Sequence, residues 1–427
     1  MLLLKSRYLL KDPSTVIDNG AVLIDDGKVK FAGRANDISN HESCQIIDLG
    51  NSAIVPGFVN THTHLDLTHL HNFIKYNGDF TDWIRQLVNA KKEWTESEYL
   101  SSIRSGIKNS LESGTTTVAD ITRNGLALAE LQKSNIRKNL FYELIDFSPD
   151  SAESTIENFK NIIKKVKHDD LLSIGIFPHA PYTVSEELYR ISKTVSDELG
   201  LSIATHISET IDEANFLTRG AGNFVSLLRD FDMLKEWKPP GLRPVNYLKN
   251  IGFLENGCIL VHCNYLKGEE VDKIEESNST IVFCPRSHKY FRHKDHPSYK
   301  LGNRDINVAL GTDSLACNDS LSILDEMKYI YTQHKTSKPQ DILYMGTIAG
   351  ATALRLDNKI GKLEEGYDAD TAVIDFKKEK VTNIYDGIFS QDSECILTVV
   401  SGTICYDKHG ISREATVSQT NTIRSDS

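Results

Sequence analysis

Eight short apolar runs alternate with helical patterns along this 427-residue chain, and this alternation limits the possible folds more than any other feature. Strands separated by helices pair in parallel through crossover connections. Eight such units over about 300 residues are typical of a closed barrel, not an open sheet. The sequence therefore predicts an α/β fold, a (β/α)8 TIM barrel. Its strands are rich in Val, Ile and Thr and fall at 54–59, 115–121, 138–145, 171–177, 201–205, 258–261, 280–284 and 307–310, with helices at 97–113, 151–167 and 185–198.

Both ends of the chain differ from the middle in their pattern of predicted secondary structure. They carry short strands with turn dipeptides such as Asn19-Gly20 and Asp26-Gly27. Neither end is long enough to form a stable sandwich alone, so we expect a small β-sandwich domain built from both. The last stretch is polar and rich in Ser and Thr, which predicts a flexible tail. The expected divisions are 1–56 (N-terminal part of the sandwich), 57–365 (barrel), 366–410 (C-terminal part of the sandwich) and 411–427 (tail).

Composition narrows the class of protein. The formal net charge of −11 argues against a nucleic-acid binder, although a local basic patch stays possible. The start of the chain lacks the apolar core of a signal peptide, and no apolar run is long enough to span a membrane. Seven cysteines without a CxxC pair suit reduced thiols, so a cytoplasmic location is expected. Cys263, Cys284 and Cys317 lie near strand ends and are interpreted as buried small apolar residues.

The first apolar run leads into His62 and His64. Side chains two apart on a strand leave the same face, so both imidazoles point into one space. Two converging imidazoles are part of what a transition-metal centre needs. The alternative is that they are simply polar residues at a strand terminus.

Further polar residues follow other strands where barrel enzymes place their chemistry. His179 follows the fourth strand, His206 the fifth, His262 the sixth and Asp313 the eighth. Each alone could be a structural histidine or a helix-capping aspartate. Together, three imidazoles and a carboxylate suit zinc or ferrous iron, and a position left for water would let the metal lower the pKa of that water toward about 7. Glu209, three residues after His206, could carry its proton to a substrate, as a non-ligand Glu does in zinc nucleobase deaminases.

These motifs resemble the amidohydrolase superfamily over nearly the whole chain, in its cytosine-deaminase and chlorohydrolase-like branch. The likeness is carried by VPGFVNTHTHLDLTHL, HISE, VHC, CPRSH, LGTDSLACNDSLSILDEM and GKLEEGYDADTAVIDF. Within the branch, PHAPYTVS and CPRSHKYF look most like aminodeoxyfutalosine deaminases of the menaquinone pathway. Methylthioadenosine/S-adenosylhomocysteine deaminases share the HAPYT and HxxE features.

The resemblance implies a role for each of the polar residues at the strand ends. Glu209 would be the proton shuttle, and His262 would bond to the substrate ring or to the attacking water. His179 would contact the sugar, and Asp313 would also accept a proton from the water. The fourth strand end lacks the lysine of binuclear members, so one divalent transition metal ion, Zn²⁺ or Fe²⁺, is expected. Its implied ligands are His62, His64, His206 and Asp313.

Three more residues could line the substrate pocket, and each has a structural alternative. Arg286 could bind a substrate carboxylate or form a structural salt bridge. Trp83 resembles the family's aromatic wall, but equally suits a helix core. Glu143 could bond a ribose hydroxyl or stay buried with a partner. The long connection at 210–257 could be a lid or a surface insertion.

The implied function is hydrolytic deamination of an aminopurine nucleoside, with 6-amino-6-deoxyfutalosine as the expected substrate. The departure from the family pattern at His288, where many relatives have Asn, leaves the substrate open, and His293 and His296 have no assigned role. Other enzymes of the same scaffold, acting on S-adenosylhomocysteine or methylthioadenosine, guanine, a triazine or a cyclic amide, are alternatives. A barrel that only binds partners is a distant one. The relatives also suggest a homodimer or larger homo-oligomer.

Overall fold

The computed structural model describes residues 1–38, 44–123, 125–167, 169–234, 237–301, 304–377, 381–413 and 416–417. The chain begins with the strands β1 (Leu2–Leu10), β2 (Val16–Asp25), β3 (Lys28–Arg34), β4 (Gln45–Asp48) and β5 (Ser52–Pro56). β2 pairs antiparallel with both β1 and β3. Asp26 and Gly27 form the predicted turn between β2 and β3, with φ angles of 49° and 69°. The turn predicted at Asn19-Gly20 is wrong, because both residues lie inside β2, where Gly20 lets the backbone approach Leu9.

A parallel sheet follows and closes into a barrel, which confirms the predicted (β/α)8 fold. Its order is β13-β12-β11-β10-β9-β8-β7-β6. The ring closes where the backbone N–H groups of Thr312 and Asp313 both donate to the carbonyl oxygen of His62 at 3.1 Å. The strands are β6 (Phe58–Thr63), β7 (Thr115–Thr122), β8 (Arg137–Leu144), β9 (Leu172–Pro178), β10 (Ser202–Ile207), β11 (Ile259–His262), β12 (Thr280–Phe283) and β13 (Val308–Leu310).

The first predicted strand, 54–59, is divided between two sheets. Its first half belongs to β5 and its second half to β6, with Gly57 between them. A Cβ at Gly57 would lie 2.3 Å from the Thr116 side chain, so only glycine allows the chain to pass β7 this closely. Apolar content alone could not show this break, because residues on both sides of it are fully buried.

The chain returns to the first sheet through β14 (Thr371–Asp375), β15 (Glu394–Val400), β16 (Thr403–Asp407) and β17 (Thr416–Val417). The sheet runs β16-β15-β14-β5-β1-β2-β3 and divides at β1, which pairs with β4 along Leu2–Lys5 and with β5 at Tyr8–Leu9. Buried side chains from both ends of the chain pack together in it, for example Leu4, Ile54 and Val373. A small β-domain made from both chain ends is thus confirmed.

The domain boundaries stay predictions. Of the tail predicted at 411–427, the structure describes only 411–413 and 416–417, and the latter pair forms β17 against β4. The rest of the tail lies outside the described residues.

Helices lie between the barrel strands and after them. The predicted helices correspond to α2, α4 and α5. Thr95 and Glu98 form a reciprocal capping box that fixes the start of α2, and Gly200, with φ of 66°, ends α5. None of the helices in the described part of the chain is long and apolar enough to cross a membrane. The helices are α1 (Phe80–Lys92), α2 (Glu96–Glu112), α3 (Leu126–Gln132), α4 (Ala152–Ile163), α5 (Glu186–Leu199), α6 (Ile211–Arg219), α7 (Asn223–Asp230), α8 (Pro244–Asn250), α9 (Gly268–Glu276), α10 (Pro285–Tyr290), α11 (Ile323–Gln333), α12 (Pro339–Met345), α13 (Ile348–Ala353) and α14 (Ile384–Ile388).

A buried ion-pair group joins the barrel to the β-domain. Arg137, at the start of β8 and 4% exposed, donates from Nε and one terminal nitrogen to both carboxylate oxygens of Asp370, at 2.9 and 3.1 Å. A terminal nitrogen also lies 2.9 Å from Asp368 Oδ2. This bidentate geometry holds the bottom of the barrel against the strand that returns to the β-domain.

Candidate active site

Three imidazoles meet at the mouth of the barrel. His62 lies near the end of β6, His64 follows that end, and His206 comes from β10 on the far side. Their nitrogens lie within 4.8 Å of one another, and Nε2 of His62 is 3.2 Å from Nε2 of His206. The structure therefore brings together three of the residues that the sequence predicted as metal ligands.

The contacts of these rings suit a cation between them. Nδ1 of His206 lies 3.1 Å from the carbonyl oxygen of His179, which can only accept, so Nδ1 carries the hydrogen and Nε2 faces the site as a lone pair. Burial, above all, lowers the pKa of His62 and of His206 well below the ordinary value, which keeps both rings neutral. Nδ1 of His62 is buried without a hydrogen-bond partner among the described residues. A metal ion on Nε2 would give this ring a strong polar contact through its other nitrogen.

Asp313 adds a carboxylate to the same site. Its Oδ1 lies 3.8 Å from Nε2 of His62 and 3.9 Å from Nε2 of His64. Burial alone would raise the pKa of Asp313, but the surrounding histidines and a donated hydrogen bond outweigh it and lower the pKa to about 2. An anionic oxygen and three imidazole nitrogens form the mixed donor set that zinc or ferrous iron accepts, so the residues fit a divalent metal.

The orientation of this carboxylate is set by two donors that the sequence analysis did not identify. Oδ2 of Asp313 accepts the Ser287 hydroxyl at 2.8 Å and the Cys317 thiol at 3.2 Å. Oδ1, the oxygen facing the histidines, also accepts the backbone N–H of Ser314 at 2.8 Å. Cys317 is buried, as expected, but it is a hydrogen-bond donor as well as a small apolar residue. Its position four residues after Asp313 could have indicated this contact from the sequence.

Glu209 lies just beyond β10, and its side chain is almost fully buried. Its Oε1 is 3.5 Å from Nε2 of His262 at the end of β11. Burial, reinforced by the negative charge of Asp313, raises the pKa of Glu209 well above the ordinary value. A buried carboxyl group whose pKa is raised in this way can hold a proton, act as a general acid and then act as a base.

A second buried carboxylate holds Glu209 in place. Glu213 accepts the backbone N–H of Ser208 at 3.0 Å on one oxygen and that of Glu209 at 2.8 Å on the other. Ser208 has φ of 51°, a conformation that costs a non-glycine residue energy unless its surroundings hold it there. Sequence reasoning missed Glu213, although it lies one helical turn after Glu209.

His262 and His179 complete the ring of histidines. Burial lowers the pKa of His262 to about 4, so the ring beside Glu209 is neutral. His179, after β9, contacts the Thr183 hydroxyl through Nδ1 at 2.7 Å, and its Nε2 lies 3.9 Å from Oε1 of Glu143 on β8. The His179 ring centroid is 4.9 Å from that of His206. The structure thus brings Glu143 and His179 to the side of the cluster of His62, His64 and His206, where their roles toward a substrate stay predictions.

The other two residues predicted to bind substrate have structural partners. The Arg286 guanidinium donates to the Ser320 hydroxyl at 2.8 Å and to Asp319 Oδ2 at 3.2 Å, as in the salt-bridge alternative. Trp83 lies in α1 and packs edge-on against Phe291 at 5.0 Å, as in the helix-core alternative. Neither contact aims the side chain at the histidine cluster, and a substrate role for either residue stays a prediction.

The insertion 210–257 forms α6, α7 and α8. In it, Phe224 stacks on Tyr182 at 4.1 Å, and Tyr182 in turn lies 5.8 Å from His179. Asp230 pairs with Arg85 of α1 at 2.6 Å. The insertion is therefore packed beside the histidine cluster and against α1, and whether it opens as a lid stays a prediction.

Comparison with known proteins identifies the family. The model of the amidohydrolase family matches residues 53–405, which is most of the chain. The chain belongs to the amidohydrolase family. This amidohydrolase is 30% identical to the 5′-deoxyadenosine deaminase of Methanopyrus kandleri, over 85% of this chain and 83% of the relative. It is also 30% identical to the 5-methylthioadenosine/S-adenosylhomocysteine deaminase of Thermodesulfovibrio yellowstonii, over 90% of this chain and 87% of the relative.

A solved structure shares the fold. Helicobacter pylori aminofutalosine deaminase, in complex with methylthio-coformycin, superposes with a TM-score of 0.82 at 21% identity, covering 95% of this chain and 100% of that one. The predicted resemblance to the amidohydrolase superfamily is confirmed. Family membership and the deaminases among its relatives make this amidohydrolase a hydrolase that acts on C–N bonds.

Proposed function

We propose that the protein removes the 6-amino group of an adenosine-type nucleoside as ammonia. The observation that carries this proposal is the convergence of His62, His64, His206 and Asp313 beside a protonatable Glu209. Hydrolytic deamination of a purine needs a nucleophilic water and a group that protonates the ring, and this mouth offers residues for both. The two relatives named above act, by their names, on adenosines altered at the 5′ position.

The proposed chemistry divides between the metal donors and the proton-transfer residues. Bound by the three imidazoles and Asp313, a divalent metal supplies Lewis acidity that makes water nucleophilic near neutral pH. Glu209 delivers a proton to the ring nitrogen next to C6, so that C6 can accept the water oxygen. Of the two water protons, which pass through Asp313 and Glu209, one goes to the amino group and the other restores the Glu209 carboxyl. The C6–N bond breaks, the amino group leaves as ammonia, and a hypoxanthine remains. His262, kept neutral by burial, hydrogen-bonds to the ring or to the water.

The proposed substrate is, more specifically, a nucleoside with a modified 5′ group. The sequence predicts 6-amino-6-deoxyfutalosine, whose benzoate carboxylate Arg286 was expected to bind. The pairing of that guanidinium with Asp319 and Ser320 gives this substrate no added support. We therefore propose 5′-modified adenosines as the class, with methylthioadenosine, 5′-deoxyadenosine and aminodeoxyfutalosine as members to be distinguished by experiment.

Three further properties belong to the proposal. The end of β9 carries Pro178 and His179 and no lysine, which favours a single metal ion, Zn²⁺ or Fe²⁺. The seven cysteines are all free, which suits a reducing cytoplasm. A homodimer or larger homo-oligomer is proposed from the resemblance to relatives, and sedimentation of the purified chain tests it.

A substrate panel tests the function. Purified protein of measured metal content is incubated with adenosine, the three 5′-modified nucleosides, guanine, a chlorotriazine and a cyclic amide, and ammonia or chloride release is measured. Of all the compounds tested, we expect the 5′-modified adenosines to release ammonia with the highest kcat/KM. Turnover of the triazine or the cyclic amide alone would place the protein elsewhere in the family, and metal-loaded protein that is inactive on every compound would overturn the proposal.

A further inference from the structure

The segment after β12 carries three histidines with no role in the proposed chemistry. One of them, His296, is fully buried and bonds to the backbone of His262. A second, His293, lies against Tyr265, whose backbone bonds to the turn before Glu209. Hydrogen bonds from such histidines can fix the backbone near His262 and Glu209 and so determine where these two side chains lie.

The hydrogen-bond partners of His296 define its tautomer. Its Nδ1 accepts the backbone N–H of Ser298 at 3.1 Å, so the hydrogen of the neutral ring is on Nε2. That Nε2–H donates to the carbonyl oxygen of His262 at 2.7 Å. Phe283 stacks on the ring with centroids 3.9 Å apart, and burial lowers the pKa of His296 to about 3, which keeps the ring neutral. His296 is therefore a fixed, correctly oriented donor.

The carbonyl that receives this bond belongs to a strained peptide. His262 has φ of 76° and the next residue, Cys263, has φ of 54°. A non-glycine residue in this left-handed region is unfavourable and persists only where its surroundings hold it. The strain turns the chain at the end of β11 so that the His262 ring lies 3.5 Å from Glu209.

His293 reaches the neighbouring strand end. Its Nδ1 lies 3.0 Å from the Tyr265 hydroxyl, and the backbone N–H of Tyr265 donates to the carbonyl of Ser208 at 3.1 Å. Ser208 is the left-handed residue that precedes Glu209. The segment after β12 thus supports the backbone at both His262 and Glu209.

We infer that His296 is a positioning residue, which fixes the peptide of His262 and through it the distance between His262 and Glu209, with His293 supporting the same pair through Tyr265. The inference rests on the proposed function, because the pair matters only if Glu209 moves protons. A displacement of a reacting group by about 1 Å can cost a hundredfold in rate, so loss of this donor is expected to lower kcat.

The test uses variants that differ in the donor. In His296→Gln the amide nitrogen takes the place of Nε2 and can still donate, whereas His296→Leu fills similar volume without donating. We expect the Leu variant to lose at least about tenfold in kcat, with KM and metal content unchanged, and the Gln variant to recover most of it. His334→Leu is the matched control, because that histidine stacks on Tyr299 without bonding to either strand end.

Two results would overturn the inference. One is a folded Leu variant with wild-type kcat; the other is equal loss of activity in the Leu and Gln variants together with loss of metal. If the Leu variant does not fold, His296→Asn replaces it, because its shorter amide keeps the acceptor for Ser298 but cannot reach His262.

A second readout does not depend on the substrate. Amide hydrogen exchange of residues 259–265 should accelerate in His296→Leu relative to the wild type and to His334→Leu. If the wild type is inactive on every nucleoside, the proposed function fails while this readout still decides whether His296 holds the backbone. Unchanged exchange in that segment would refute the inference.

Discussion

The substitution Glu209→Gln tests the proton shuttle most directly. The amide has nearly the same shape as the carboxyl group, and the hydrogen bonds that fix this turn run from the backbone to Glu213, so they survive the change. What is lost is the ability to exchange a proton. General acid–base catalysis contributes about 10²- to 10⁴-fold, which at 1.36 kcal/mol per tenfold is about 3–5 kcal/mol of transition-state stabilisation.

The structure also predicts what should not change. Glu209 is not part of the imidazole cluster, and burial raises its pKa, so replacing it with the neutral amide takes no ligand from the metal site. Metal content measured by mass spectrometry should therefore stay at the wild-type value. Ammonia release under saturating substrate gives kcat, and Glu187→Gln, at an exposed position of α5, is the control for the same chemical change. A Glu209→Gln enzyme with full metal and a kcat within about threefold of wild type would refute the reasoning.

Three further results are expected. Chelation that removes the metal should abolish ammonia release, and Zn²⁺ or Fe²⁺ should restore it; turnover by demonstrably metal-free protein contradicts the site. Cys317→Ala should weaken metal binding about 10- to 100-fold in a competition titration, because Asp313 loses a buried donor, whereas Cys317→Ser should bind nearly as well as wild type. Arg137→Met should lower the free energy of unfolding in urea by about 3–5 kcal/mol, since buried Asp370 loses its cationic partner while Asp368 keeps Lys28; an unchanged midpoint contradicts this.

The barrel and the polar residues at its mouth could be predicted because their signals are local. Strand and helix periods are properties of short windows, and in a barrel the carboxyl ends of all strands meet on one face. That rule places His62 and His206 together although 143 residues separate them. The split of the first strand at Gly57 could not be predicted, because apolar content does not distinguish one buried sheet from another.

The supporting contacts were harder to predict, because they depend on pairs of residues that meet only in the folded chain. Glu213 and Cys317 lie close in sequence to the groups they hold, so spacing gave a weak signal for them. His296 meets the carbonyl of His262 across 34 residues and through a backbone atom, which leaves no mark in the side-chain pattern. For Arg286 the sequence left a substrate contact and a structural salt bridge open; the guanidinium pairs with Asp319, and the substrate role stays a prediction.

A common feature connects these supporting residues to the chemistry. Ser208, His262 and Asp313 all have left-handed backbones, with φ of 51°, 76° and 59°, at or just after the ends of three different strands. Such turns change the direction of the chain at the strand ends, but each is unfavourable unless held. Glu213 holds the first and His296 the second, while at the third the Asp313 side chain bonds to the next backbone N–H. The same geometry that brings the reactive groups together thus creates the need for buried polar partners, and these partners are where substitutions should impair catalysis without touching a ligand.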